Sequence, residues 1–166
     1  RVRIMAEQLI KIAAQRETAR AEALVAPTGS FVEFCARFGV AETDDQLAAI
    51  DDVVSDLAAG RASDRLICGD VGFGKTEVAL RAAFVAAMCG YQVALVAPTT
   101  LLARQHGKLF QERFAGFPVR IGVLSRMTRP ADAKQIKADL ATGDIQIAIG
   151  THALLEDTVQ FKNIGL

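Results

Sequence analysis

The sequence predicts an α/β domain: a parallel sheet with helices on both faces, preceded by a long N-terminal helix. Three observations carry this. From residue 65 onward, short apolar runs alternate with helix-forming stretches, the pattern of βαβ units. Hydrophobic residues make up 51% of the 166, charged residues 23% and aromatic residues 6%. That is a globular composition, and a chain of this length buries about 70% of its extended surface on folding. Finally, a glycine-rich run, Gly69–Thr76, falls between the first apolar run and the helix after it, at the strand end where sheets of this kind bind ligands.

Residues 1–24 read as one helix, with Val2, Met5, Leu9 and Ile12 at a/d-like spacing. Ala26-Pro27-Thr28-Gly29-Ser30 breaks it, so residues 1–30 form a connector and linker and residues 31–166 the domain. The helix either packs on this domain or belongs to a neighbouring one, and the connector is the favoured reading. A short helix is expected around Phe31–Arg37. Thr43-Asp44-Asp45-Gln46 then caps a helix that runs to about Ala59, with Gln46 at the capping-box position and Gly60 as its stop. After it come strand Arg65–Cys68 and helix Glu77–Met88, strand Gln92–Ala97 and a helix near Leu101–Arg113, strand Val119–Leu124 and a helix near Ala131–Leu140, then strand Ile145–Ile149 and a short helix near His152–Leu155.

Gly69-Asp70-Val71-Gly72-Phe73-Gly74-Lys75-Thr76 fits the phosphate-binding (Walker A) pattern G-x-x-x-x-G-K-[ST]. Glycines let the backbone turn tightly and approach a ligand closely. The amides of the loop then converge on phosphates at a helix start, where the dipole also favours negative charge. Lys75 brings a mobile cation for the β- and γ-phosphates, and Thr76 a hydroxyl for Mg²⁺. The flanking apolar run and helix supply the context that the pattern requires.

Net charge is zero, with 19 basic and 19 acidic residues. The distribution is uneven: residues 31–64 hold eight acids and two bases, while residues 98–137 hold eight bases (Arg104, Lys108, Arg113, Arg120, Arg126, Arg129, Lys134, Lys137) and two acids. Either a local anionic partner or an ordinary solvated surface accounts for the basic segment. Cys35, Cys68 and Cys89 lack metal-ligand spacing, and Cys68 and Cys89 read as core thiols of a reducing, cytoplasmic compartment. The apolar stretch 82–98 is broken by Gly90-Tyr91-Gln92 and reads as helix, turn and strand rather than a membrane span.

Three further segments hold candidate side chains. Phe38 could stack on a base and the Gln46 amide could pair with its edge, although Gln46 is explained equally well as a cap. The Thr99-Thr100 hydroxyls and the Arg104-Gln105-His106 stretch could hold a phosphate backbone, or Thr99 could be a simple N-cap. Thr151-His152 follows the last strand with the same logic.

In this order the segments resemble the first, RecA-like motor lobe of superfamily 2 helicases and translocases. "DRLICGDVGFGKTEVALRAAF", "PTTLLARQH" and "IGTHALLEDTVQFKNIGL" are similar to the bacterial transcription-repair coupling factors over nearly the whole chain. RecG-type fork-remodelling helicases share the GDVG-x-GKT and GTHAL patterns, but Phe73, Glu77 and Arg81–Phe84 favour the coupling factors. The resemblance implies an ATP-hydrolysing motor that walks on double-stranded DNA, pushes stalled RNA polymerase off a lesion and recruits the excision-repair damage-recognition protein. Carried over by motif, Gly69, Asp70, Val71, Gly72, Phe73, Gly74, Lys75, Thr76 and Glu77 would hold ATP and Mg²⁺. Phe38 and Gln46 would hold adenine, and Thr99, Thr100, Arg104, Gln105, Arg126, Thr151 and His152 would touch the DNA backbone.

One feature of the family is missing. No apolar run ends in Asp-Glu, so the carboxylate that would hold Mg²⁺ and the residue that would activate water are not in this stretch. The chain therefore reads as an incomplete lobe that grips phosphates without hydrolysing ATP, with an exposed sheet edge that favours self-association. A non-catalytic nucleotide- or anion-binding module is the alternative for the piece taken alone.

Overall fold

The computed structural model describes residues 2–166; Arg1 and the side chains of Val2, Glu17 and Thr18, all within the expected N-terminal helix, lie outside the described residues. Helix α1 (Val2–Thr18) is shorter than expected. The chain after it runs extended along the end of α3 (Asp44–Ala58): Ala21 N–H donates to Gly60 O and Leu24 N–H to Leu57 O, and Leu24 is buried. Met5, Leu9 and Ile12 of α1 stay exposed, and Arg16 pairs with Asp64.

Helix α2 (Thr28–Ala36) begins three residues before the expected Phe31. Helix α3 has the full capping box: Thr43 Oγ1 accepts from Gln46 N–H, and Gln46 Oε1 accepts from Thr43 N–H. Helix α4 (Lys75–Met88) is buried almost all round, as its alanine, valine and leucine content allows. It packs between α2, α3 and strand β1 (Val93–Val96). Helix α5 (Thr100–Arg113), strand β2 (Ile121–Leu124), helix α6 (Pro130–Thr142), strand β3 (Ile147–Gly150) and a 3₁₀ turn at His152–Leu155 complete the order.

The three strands are parallel in the order β1-β3-β2, with Val96 and Leu124 both opposite Gly150. The central strand β3 is buried along its length and its side chains alternate between two cores. Ile147 and Ile149 join Phe34, Phe84, Phe110 and Phe114 under α2, α4 and α5. Ala148 joins Leu124, Leu140 and Leu154 under α6. Helices thus cover both faces, as the alternation of elements implies. Helix α5 sits close on the sheet because Gly107 has no side chain: a Cβ there would come within 2.6 Å of Val123 Cγ2.

The expected first strand, Arg65–Cys68, is not formed. Leu66 is 86% exposed, and Cys68 is exposed rather than a core thiol. A strand needs a partner for its backbone groups. Between this run and the outer edge of β1 lies a slot of about 450 Å³, lined by Leu57, Ile67, Val78, Ala94, Val96 and Leu166, and none of the described strands fills it. Residues 164–166 reach its mouth: Gln92 and Ile164 form a parallel bridge, and Ala94 N–H donates to Leu166 O at 2.8 Å.

Candidate functional site

Residues 69–74 make a tight turn into α4. Phe73 N–H donates to Asp70 O, and both Gly72 (φ 88°) and Gly74 (φ 70°) are left-handed, a conformation costly for other residues. Gly74 is also the N-cap of α4, with no side chain capping the first turn. A Cβ at Gly74 would overlap Gln46 Nε2. The result is a helix start with no side-chain cap, in a cradle that only glycine permits; Glu77 N–H turns back onto Gly74 O at 2.8 Å, and the amides before it are placed to meet an anion.

Lys75 Nζ folds back onto the loop, donating to Gly69 O and to Asp70 O at 2.6 Å. A phosphate arriving there would compete with these carbonyls for the ammonium. Asp70, Val71 and Phe73 are exposed, and their backbone rather than their side chains shapes the loop. Thr76 is half-buried in the first turn of α4, beside a cavity of about 240 Å³ that Phe38, Gly74 and Arg113 also line. Gln46 Nε2 donates to Phe73 O at 2.9 Å, so Gln46 ties α3 to the loop with the same side chain that caps the helix.

Glu77, carried over by motif with the nucleotide set, lines the same cavity as Gly74 and Thr76 but commits its carboxylate to two arginines. It is 3% exposed; its carboxylate takes a two-pronged contact from Arg113 (2.6 and 3.0 Å) and accepts from Arg81 Nε at 2.9 Å. Arg81 also pairs with Glu42. Burial acts to lower the Arg81 pKa, but the hydrogen bonds it donates to Glu42 and Glu77 outweigh it and leave the guanidinium above its ordinary value. The hydrogen bond from Arg81 holds the Glu42 carboxyl below the usual range. Burial pushes the nearby Cys35 thiol up. Sequence reasoning missed Arg81 and Arg113 as site neighbours. The i,i+4 spacing of Glu77 and Arg81 was a usable signal; nothing in the sequence marks Arg113, 36 residues from Glu77.

Because the strands are parallel, the segments after β1, β2 and β3 lie on one edge of the sheet. Thr99 and Thr100 follow β1, Arg126 follows β2, and Thr151 and His152 follow β3. Thr99 Oγ1 caps α5 by accepting from Leu102 N–H. Arg104, Gln105, Arg126 and His152 are exposed. Thr151 is only 4% exposed, and its Oγ1 is buried without a partner among the described residues, so its hydroxyl does not face solvent with the others. Of the eight bases in 98–137, five pair with carboxylates: Lys108, Arg113, Arg120, Arg129 and Lys137. Arg104, Arg126 and Lys134 have no ion pair among the described residues.

A glycine cradle opening an uncapped helix, set at the carboxyl edge of a parallel sheet, is the arrangement of a phosphate-binding α/β domain. The chain belongs to the DEAD/DEAH box helicase family, which matches residues 43–166. It is 48% identical over its whole length to the transcription-repair-coupling factors of Haemophilus influenzae and Escherichia coli, and 45% identical over 99% of its length to that of Bacillus subtilis. It spans about 14% of the length of each of these relatives. A solved structure of RecG bound to a three-way DNA junction superposes with a TM-score of 0.86 at 34% identity, covering 93% of this chain and 21% of that one. The resemblance to the coupling factors drawn from Phe73, Glu77 and Arg81–Phe84 agrees with these relatives. No described helix is long and apolar enough to cross a membrane.

Proposed function

We propose that this chain is the ATP-binding part of the first motor lobe of a cytoplasmic, ATP-dependent double-stranded DNA translocase, one that displaces stalled RNA polymerase and couples transcription to nucleotide excision repair. The observation that carries the reading is the cradle at Gly69–Thr76, with its uncapped helix start and its lysine held by the loop's own backbone carbonyls. The loop amides and Lys75 take the phosphates, and the Thr76 hydroxyl is the chain's ligand for Mg²⁺. The donor set fits: Mg²⁺ favours oxygen ligands and commonly combines few protein groups with phosphate oxygens. When bound, the ion neutralises charge developing on the transferred phosphoryl group. Phe38 stacks on the base, and the second Gln46 amide hydrogen is available to its edge.

Thr99, Thr100, Arg104, Gln105, Arg126 and His152 form the DNA-facing edge in this reading. Arg104 and Arg126 supply charge that no carboxylate among the described residues neutralises. Thr151 contributes through its backbone or by supporting the turn. RNA polymerase and the damage-recognition protein bind regions outside residues 1–166. The slot beside β1 takes a further strand carrying the Mg²⁺-binding carboxylate, so residues 1–166 alone bind nucleotide weakly and do not turn it over.

The test is nucleotide binding and ATP turnover with and without Lys75→Ala. The reading expects weak binding that Lys75→Ala reduces and no turnover by the chain alone. Turnover by this chain that disappears in Lys75→Ala refutes the division of labour; binding indifferent to Lys75→Ala refutes the site. A RecG-like fork remodeller is the second reading, motivated by the 34% identity and close superposition. Displacement of stalled polymerase against regression of a model fork, assayed on the full-length protein, separates the two.

A further inference from the structure

Arg113 closes α5 and stands between the two halves of the nucleotide site. On one side its guanidinium forks onto the Glu77 carboxylate, in the first turn of α4 and next to Thr76. On the other it donates to Phe34 O at 3.2 Å, lies 4.8 Å from the centre of the Phe34 ring and 5.7 Å from that of Phe38. The clasp is reciprocal: Arg37, next to Phe38, donates to Ala115 O at 2.5 Å just beyond α5, and its guanidinium covers the Phe117 ring. Phe38 thus lies beside the Arg113 guanidinium, its chain neighbour Arg37 is anchored just beyond α5, and α5 is fixed to the phosphate-loop helix through Glu77. The cavity of about 240 Å³ at this junction is bounded by Phe38, Arg113 and the loop residues Gly74 and Thr76. The Arg113 side chain is 11% exposed, and its Nε–H is buried without a partner among the described residues. The guanidinium therefore satisfies the bridge at the expense of one of its five donors.

We infer that Arg113 is a positioning residue for the nucleotide base. It holds the face of Phe38 at a set distance from the phosphate loop, so that base stacking and phosphate binding are satisfied by one ligand pose. The inference rests on the proposed nucleotide site. It also explains the residue type: a planar fork can bond a carboxylate edge-on while its face lies against rings, and a lysine ammonium cannot do both.

The probe pair is ATP and inorganic tripolyphosphate, each with Mg²⁺, titrated against the full-length protein. Tripolyphosphate reads the loop alone, and the ratio of the two affinities reads the base. Arg113→Lys should lower the ATP-to-tripolyphosphate ratio by about tenfold, the scale of a lost stacking contact, while leaving tripolyphosphate binding within about twofold. Phe38→Leu should lower the ratio similarly, and adding Arg113→Lys to it should cause little further loss, because both changes act on one contact. Arg113→Gln, which keeps a planar amide, is the second variant if the lysine form does not fold, with the same expected direction. If Arg113→Lys weakens both ligands equally, the arginine merely supports the loop and the inference is overturned. The same follows if the ratio does not move while Phe38→Leu moves it. If the unaltered protein binds both ligands equally, the base platform itself is absent and the site reading fails first.

Discussion

Gln46 and Phe73 join the start of α3 to the phosphate loop: the Gln46 amide donates to the Phe73 carbonyl at 2.9 Å while its oxygen accepts from Thr43 N–H. One side chain thus closes a capping box and fixes the turn before Gly74. The two roles separate by substitution. Gln46→Glu keeps an acceptor for the cap and replaces the loop-binding donor with an oxygen facing a carbonyl. Gln46→Ala removes both contacts. We expect Gln46→Ala to cost about 1–2 kcal/mol of unfolding free energy through the lost cap and loop bond. Gln46→Glu should cost less in stability than Gln46→Ala yet weaken nucleotide binding at least as much. Denaturant unfolding together with nucleotide titration measures both, and equal losses of binding and stability in the two variants would dissolve the distinction.

Glu77 is the centre of the buried charge cluster, with Arg81 and Arg113 both on its carboxylate. Removing one partner of a buried pair leaves the others uncompensated in low dielectric. Glu77→Ala should therefore destabilise by about 3–5 kcal/mol, while Glu77→Gln, which keeps the shape and the acceptor oxygen, should cost less. Urea unfolding decides this. A loss under 1 kcal/mol in Glu77→Ala would mean that the arginines find other partners or water.

These contrasts show what was readable in advance. The loop, the alternation of strands and helices, and the capping box depend on local chemistry, and each stands in the structure close to where spacing placed it. Arg65–Cys68 has the composition of a strand, but a strand is defined by its neighbour, and the slot beside β1 leaves it without one. The same cause put Cys68 at the surface. Glu77 is carried over by motif with the loop; it lines the cavity beside Gly74 and Thr76, but its carboxylate is bonded by Arg113, a partner 36 residues away that the motif does not name.

Acid sensitivity follows from the depressed carboxylates. Arg81 holds Glu42 below its ordinary pKa, Arg65 does the same for Asp56, and Lys137 for Glu156. A carboxyl whose folded pKa lies below its unfolded value contributes stability that is fully present above the unfolded value. That stability is lost as pH falls through the depressed folded value. The thermal midpoint should therefore hold steady near neutrality and fall below about pH 4.5, where the unfolded carboxylates begin to bind protons. Glu42→Gln should make the acid limb shallower. An acid limb of unchanged slope would remove Glu42 from the account.

The edge proposed to face DNA makes a prediction that discriminates among arginines of one segment. Arg129 pairs with Asp132 at 2.7 Å and Arg120 with Asp139 at 2.8 Å, whereas Arg104 and Arg126 have no such partner among the described residues. A cation that contacts a phosphate releases condensed counterions. Arg104→Ala or Arg126→Ala should each reduce the slope of log affinity against log salt for duplex DNA by about 0.9. Arg129→Ala should leave the slope unchanged. Binding isotherms for a single duplex at several salt concentrations give the slopes, and equal effects at all three positions would point to a diffuse basic surface instead of a defined edge.

The outer edge of β1 bears on how the chain behaves in solution. Beyond Ala94, the N–H and C=O groups on that edge have no strand among the described residues, and Val96 stands 47% exposed beside the slot. An unpaired edge next to an apolar recess invites a strand from a second molecule. Residues 1–166 alone should therefore self-associate as concentration rises, sedimenting above the 17.7 kDa of one chain. Val96→Lys places a charge on the edge, the device by which natural sheets discourage such pairing, and should return the chain to a monomer at the same concentration. Reversal by Val96→Lys with unchanged circular dichroism locates the contact at β1. Association that persists in Val96→Lys would shift attention to the exposed apolar residues of α1, and a chain that stays monomeric at every concentration would show that residues 164–166 already close the edge.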